Sequence, residues 1–255
     1  MSKTHGTREL WLGALRADGP AFRMAAGVDG ALAEPVPSCP EWTVEHLVRH
    51  VGSVYAWVRS HVSRGVTTRP ETWPVVDEGN PPSADVLAWW DGEYTALLQV
   101  LDGLDPERPA WNWAPQAKTA AFWHRRMAHE TAVHRWDAQM ATGRTEPVEA
   151  RLAVDGITEV LDSWLPAGRR RSRVHRSGVV QLSAVDAGHD WFVRLRGEGV
   201  ALLDMDTLLD TDDPHARVAA QGTASDLLLA LYGRVPFDVL DVEGDVTLLE
   251  ALRAG

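Results

Sequence analysis

The chain of 255 residues has one cysteine, Cys39. A single thiol excludes an internal disulfide framework and cannot supply the cysteine ligands of a zinc anti-sigma or stress-sensor module. A lone cysteine is compatible with the reducing cytosol, so we expect a cytoplasmic protein. Cys39 is followed by a proline in a predicted connection and has no obvious activating base nearby. We therefore predict that it is neither a nucleophile nor a metal ligand.

Long apolar runs and an excess of basic residues are also missing. No uninterrupted hydrophobic stretch reaches membrane length, and the N-terminus has no signal-peptide pattern, so we expect no membrane partner and no export. The formal net charge of -11 at pH 7 argues against a nucleic-acid partner, which usually requires a basic face.

Hydrophobic periodicity and the placement of proline and glycine divide the chain into two domains. We predict a four-helix bundle over residues 1–167 and a small α+β domain over residues 168–255. The bundle and its flanking helix are expected at residues 7–33, 43–63, 83–102, 118–143 and 149–165, with Gly19-Pro20 kinking or splitting the first of them. Strands are expected at residues 178–185, 191–196, 200–203 and 217–220, followed by helices at 224–232 and 246–253.

The predicted helix over residues 118–143 contains the most informative spacing. Glu130 and His134 are four residues apart on a face that also carries Trp123 and Met127, so both should be buried on one side of the helix. A buried carboxylate beside a buried imidazole is unfavourable unless both have partners. Binding one divalent cation would satisfy both groups, and we interpret Glu130 and His134 as two metal ligands.

The neighbouring pair His129-Glu130 suggests the zinc-protease motif H-E-x-x-H, but the spacing is wrong. That motif needs histidines four residues apart, and the residue four after His129 is Val133. At roughly 100° per residue, His129 and His134 are about 140° apart around the helix and cannot share an ion. A third ligand must therefore come from another element.

The helix over residues 43–63 offers the third ligand. His50 lies at the border of its apolar face, next to the stripe formed by Leu47, Val51 and Val54, and His46 is the reserve candidate one turn earlier. Three ligands, two nitrogens and one oxygen, leave a fourth position open, as in catalytic zinc sites. Zn²⁺ or another divalent metal is therefore the expected cofactor. Asp137 is either a hydrogen-bond acceptor for a ligand histidine or, alternatively, a surface charge or a cap for a neighbouring loop.

These motifs resemble the mycothiol-dependent maleylpyruvate isomerase family. The resemblance is carried by the segments 39–44 (CPEWTV), 130–138 (ETAVHRWDA), 222–228 (GTASDLL), 232–234 (YGR) and 242–245 (VEGD). It implies a DinB-like metal-binding bundle followed by a domain related to sterol carrier proteins. The zinc ligands of the family correspond to His50, Glu130 and His134.

The resemblance also implies an activity. Mycothiol or a similar low-molecular-weight thiol would be the cosubstrate, and an anionic electrophile the substrate, in cis-trans isomerisation or thiol transfer. The active-site arginine of the family corresponds to Arg234, whose guanidinium suits a substrate carboxylate. From position alone, Arg234 follows a predicted helix, where an arginine commonly contacts the C-terminal carbonyls. The alternative function is a non-catalytic, metal-containing protein that binds a small molecule or lipid.

Overall fold

The computed structural model describes residues 6–71, 81–169, 176–197, 199–203 and 216–254. Contacts divide the chain into two compact units. The N-terminal unit holds the described residues up to 112 and residues 117–146, and the C-terminal unit holds residues 113–116 and the described residues from 147 onward. The predicted two-part architecture, helical first and mixed α+β second, is confirmed. Among the described residues, no helix combines the length and apolar character needed to span a membrane.

Four long helices form most of the described N-terminal unit: α1 (Arg8–Ala26), α2 (Val44–Val62), α3 (Val86–Gly103) and α4 (Ala120–Ala141). Of the two predicted effects of Gly19-Pro20, the split is wrong, because α1 continues through Pro20, while a kink stays a prediction. It packs along α4, and this tertiary contact stabilises a helix that proline alone would interrupt. The helix was predicted to reach residue 33, but α1 ends at Ala26, and residues Ala31–Ala33 form a separate 3₁₀ turn.

Helix α4 is buried on nearly all sides, not on one face as its sequence suggested. Residues 122–129 and 131–139 are all buried, and α4 contacts both α1 and α2. Buried polar groups require partners. Arg135 Nε donates to Asp18 Oδ1 at 3.0 Å, and Arg135 Nη1 donates to Gln139 Oε1 at 2.8 Å. The helix can therefore be central and still carry many polar residues.

The connection before α2, which contains Cys39, forms a small hairpin. Strand β1 (Pro35–Val36) pairs antiparallel with β2 (Cys39–Thr43), and Thr43 is also the N-cap residue of α2. Both strands contact α2, and β1 also contacts α4. The hairpin therefore brings its turn and the end of β2 close to the helices that carry the predicted metal ligands.

The described C-terminal unit is built on a sheet of order β5-β4-β3-β6-β7. Its strands are β3 (Arg176–Ala184), β4 (His189–Gly197), β5 (Gly199–Leu203), β6 (Arg217–Gly222) and β7 (Asp241–Gly244). Strands β3 and β6 are parallel, and the other neighbours are antiparallel. Alternate residues of β3, β4 and β6 are buried on the face that helices α6 (Ala224–Leu231) and α7 (Thr247–Glu250) cover. The sequence missed β7 and extended α7 too far.

Helix α5 (Ala150–Glu159) continues into a π-helical turn, Val160–Trp164, as one segment close to the predicted helix. This segment belongs to the C-terminal unit, because α5 packs against α6. Before it, the Val148 backbone N–H donates to Ser225 Oγ at 2.9 Å. The contact boundary therefore lies between residues 146 and 147, whereas the sequence placed it between 167 and 168.

Candidate metal centre

Helix α4 brings Glu130 and His134 together, as their spacing predicts. One helical turn separates the two residues, and His134 Nε2 lies 3.3 Å from Glu130 Oε1. Their side chains are 10% and 14% exposed for His134 and Glu130, respectively. The i,i+4 geometry of a helix alone accounts for this proximity.

Helix α2 supplies His50, whose Nε2 lies 3.2 Å from the same Glu130 oxygen. The candidate ligand atoms of His50, Glu130 and His134 all lie within 4.8 Å of one another. The Trp42 ring, at the end of β2, packs against His50 with 5.0 Å between ring centroids. The reserve candidate His46 has a different role: its Nδ1 accepts the Thr43 backbone N–H at 3.0 Å and so caps α2.

Asp137 supports His134 from one turn further along α4. Its Oδ2 lies 2.8 Å from His134 Nδ1, and its Oδ1 accepts a hydrogen bond from Ser38 Oγ at 2.6 Å. The Asp137 side chain is fully buried, so it is not a surface charge. Because Asp137 accepts a hydrogen bond from the Nδ1–H of His134, it fixes the tautomer of the imidazole and directs Nε2 towards Glu130.

Arg126 contacts the other oxygen of Glu130. Its Nη2 lies 3.2 Å from Glu130 Oε2, and the arginine is 4% exposed. Each Glu130 oxygen therefore has its own set of partners: Oε1 faces the two histidines, and Oε2 faces the guanidinium. A carboxylate with this environment is fixed in orientation by three neighbouring side chains.

The electrostatics of the cluster favour a charged pair. Burial opposes the ionised form of Glu130, but His134, His50 and Arg126 together hold its pKa well below the usual range. Burial alone would lower the pKa of His134, yet the Glu130 charge and the hydrogen bond to Asp137 raise it to about 8. A carboxylate that stays ionised and an imidazole that can lose a proton are the states that a metal requires.

The donor set and its spacing fit a divalent metal. Ligands about 2.1 Å from a tetrahedral ion are separated from one another by about 3.4 Å. The two nitrogen–oxygen separations, 3.2 Å and 3.3 Å, are close to that edge length, and all three ligand atoms lie within 4.8 Å of one another. Two imidazole nitrogens and one carboxylate oxygen suit Zn²⁺ and its neighbours in the first transition row. The His50 side chain is 29% exposed, which leaves one side of the cluster open to solvent.

The remaining predicted residues lie elsewhere. His129 is fully buried but lies outside the group of candidate ligands found among the described residues. Arg234 follows α6 in the C-terminal unit, where its Nη1 donates to the Tyr232 carbonyl at 3.0 Å. That contact is the one expected of an arginine past a helix end.

Sequence reasoning missed three residues at this site: Arg126, Ser38 and Trp42. A signal for Arg126 was present, because it precedes Glu130 by four residues in a helix. Ser38 lies in the hairpin, 99 residues before Asp137, so no local spacing reveals their contact. Trp42 also lies in the hairpin and contacts His50 across the junction between β2 and α2, where neither strand nor helix periodicity applies.

Comparison with protein-family models finds two matches that together span most of the chain. Residues 12–139 match the model described as the mycothiol maleylpyruvate isomerase N-terminal domain, and residues 151–251 match the MDMPI C-terminal domain. Both segments that carry the candidate ligands fall within the first match. A search of curated proteins finds no match.

Solved structures give a likeness of fold over nearly the whole chain. A crystal structure of the mycothiol-dependent maleylpyruvate isomerase has a TM-score of 0.65 at 13% identity, covering 93% of each chain. A histidine-to-alanine mutant of the mycothiol-dependent maleylpyruvate isomerase has a TM-score of 0.64 at 12% identity, with the same coverage. At this identity the likeness concerns the fold.

Proposed function

Because the chain belongs to the mycothiol maleylpyruvate isomerase family, we propose that it is a metal-dependent enzyme that uses a low-molecular-weight thiol. Mycothiol is the thiol that the family and its solved relatives suggest. The substrate would be an electrophilic carboxylate. The observation that carries the proposal is the convergence of His50, Glu130 and His134 within 4.8 Å on two packed helices.

Each ligand residue would bind through a defined atom. His50 and His134 would use Nε2, and Glu130 would use Oε1, the oxygen that both histidines already face. Zn²⁺ is the expected ion, with other divalent metals as alternatives. When bound, such an ion supplies a Lewis acid that lowers the pKa of an incoming thiol.

The surrounding residues would prepare the site for this chemistry. Asp137 holds the proton on His134 Nδ1, so the Nε2 lone pair is the one presented to the ion. Ser38 fixes Asp137 in turn. The thiol would add to the double bond of an enedioate such as maleylpyruvate. Rotation about the former double bond, now a carbon–carbon single bond, and loss of the thiol would give the trans isomer. If the adduct were instead released as the product, the enzyme would be a transferase.

Metal analysis combined with a thiol-dependent assay tests the proposal. We expect one divalent metal per chain in the wild type, a large loss of metal in His134→Ala and Glu130→Ala, and turnover only with thiol and metal together. Full metal occupancy in both variants would refute the site. A metal-loaded protein that isomerises neither maleylpyruvate nor other activated alkenes, and binds no thiol, would instead favour the non-catalytic binding protein.

Arg234 is the residue we propose for the carboxylate of the substrate. Its fork of N–H donors matches a carboxylate, and losing one charge-assisted hydrogen bond costs about 1.5–3 kcal/mol. Arg234→Ala should therefore lower kcat/KM roughly ten- to a hundredfold while the metal content stays unchanged. Arg234→Lys should recover only part of the loss. An unchanged kcat/KM in Arg234→Ala would refute the proposed role of Arg234 in binding the substrate.

A further inference from the structure

Arg126 contacts one oxygen of the Glu130 carboxylate, and the two histidines contact the other. Glu130 Oε2 lies 3.2 Å from Arg126 Nη2, while Oε1 lies 3.2 Å and 3.3 Å from the Nε2 atoms of His50 and His134. Arg126 is 4% exposed and lies one turn before Glu130 on the same helix. Such a buried arginine keeps its positive charge at any pH the protein meets.

We propose that Arg126 is a positioning residue that makes the open metal position selective for a single anionic ligand. The inference rests on the metal site proposed above. By contacting Oε2, Arg126 holds Glu130 with Oε1 towards the two histidines. Its guanidinium also places a fixed positive charge beside the site, which attracts an anionic ligand and has little effect on a neutral one.

The charges around the site point to the same ligand class. A divalent ion, the carboxylates of Glu130 and Asp137 and the guanidinium of Arg126 leave one net positive charge. One thiolate would neutralise it, whereas a neutral donor would leave it uncompensated in a largely buried site. Without Arg126 the balance is already zero, and a bound thiolate would then be an unpaired buried charge.

Ligand binding to the Co²⁺-loaded protein tests this role without any turnover assay. The probes are 2-mercaptoethanol, which binds as a thiolate, and imidazole, which binds as a neutral donor. Absorption of Co²⁺ reports both binding and coordination geometry. Arg126→Gln should weaken thiolate binding on the order of tenfold or more, from the loss of one nearby charge at intermediate dielectric. Imidazole binding should change by less than about threefold, since a neutral donor does not sense that charge.

Two further variants make the result specific. Arg126→Lys keeps the charge but not the fork, so it should retain most of the preference for thiolate. Arg49→Gln is the matched control: Arg49 is 3% exposed and paired with Glu45 one turn away on α2, but Glu45 is not a ligand. This control should keep the wild-type preference. If Arg49→Gln also lost the preference for thiolate, the preference would not be specific to Arg126, and the proposed role would be refuted.

The outcomes separate this inference from the proposed function. Equal binding of thiolate in Arg126→Gln and wild type, or an equal loss of both probes, refutes the role of Arg126 while leaving the metal site intact. Failure of both Arg126 variants to take up Co²⁺ also refutes the proposed role, because that role is ligand selectivity and not metal retention. A wild-type protein that takes up no Co²⁺ refutes the metal site and this inference together.

Discussion

Metal uptake should displace a proton from His134. His134 Nδ1 lies 2.8 Å from Asp137 and Nε2 lies 3.3 Å from Glu130, so each ring nitrogen of the imidazolium has a carboxylate partner. These two partners raise its pKa to about 8 against the opposing effect of burial. At pH 7 the imidazole is then about 90% protonated. A metal needs the Nε2 lone pair, so that proton must leave.

The expected magnitudes follow from this pKa. Binding should release about 0.9 proton from His134 at pH 7 and about 0.1 at pH 9. The apparent metal affinity should rise about fiftyfold from pH 6 to pH 8 and level off above that. Calorimetric titration with Zn²⁺ in buffers of different ionisation enthalpy measures the proton count. No proton release at pH 7, or an affinity that is flat between pH 6 and pH 8, would contradict the reasoning.

The stability of the metal-free protein should change in the opposite direction. The folded-state pKa of about 8 lies above the unfolded value of about 6.5. The charged pair therefore contributes fully below pH 6.5, and its contribution is lost as the pH rises through 8. A shift of this size corresponds to about 2 kcal/mol. Urea unfolding of chelator-treated protein at pH 6 and pH 9 measures this change in stability. Asp137→Asn removes one cause of the raised pKa, so it should reduce both the proton release on metal binding and the pH dependence of stability.

Three further substitutions have simpler expectations. His129→Gln should leave the metal content unchanged, since His129 lies outside the ligand group; a loss of metal in folded protein would show otherwise. Cys39→Ser should keep both metal and thiol-dependent turnover, and loss of turnover with metal intact would make Cys39 functional. Tyr55→Phe should destabilise the protein by about 1 kcal/mol in urea unfolding, because it removes the buried hydrogen bond to Thr131. No change in stability would show that this bond contributes nothing.

Local geometry was enough to find the pair on α4. Four residues are close to one helical turn, so Glu130 and His134 lie together wherever this helix packs, and His129 falls on another side. The start of α2 at Thr43 and the strong strands β3 and β4 are equally local, because they depend on capping and on alternation. The resemblance of short motifs then identified the family.

The sequence was less informative where distant segments meet. It chose His50 with His46 in reserve, but only the packing of α2 against α4 brings His50 beside Glu130, while His46 caps its own helix. It predicted one buried face for α4, whereas the helix is buried on nearly all sides. Polar residues on its other faces have partners on α1, such as Asp18 for Arg135, and no local pattern reveals such pairs. The parallel pairing of β3 with β6 and the weak strand β7 likewise depend on long-range contacts.

The sequence by itself therefore determined which residues could act as ligands, since side-chain chemistry and helical spacing are properties of a short segment. The tertiary structure decided which of them meet and what surrounds them. Ser38 reaches Asp137 only because the hairpin folds back beside α4, and α5 joins the C-terminal unit only because α6 covers its apolar face. Such contacts are determined by the packing of whole elements, in which every element restricts where the others can lie.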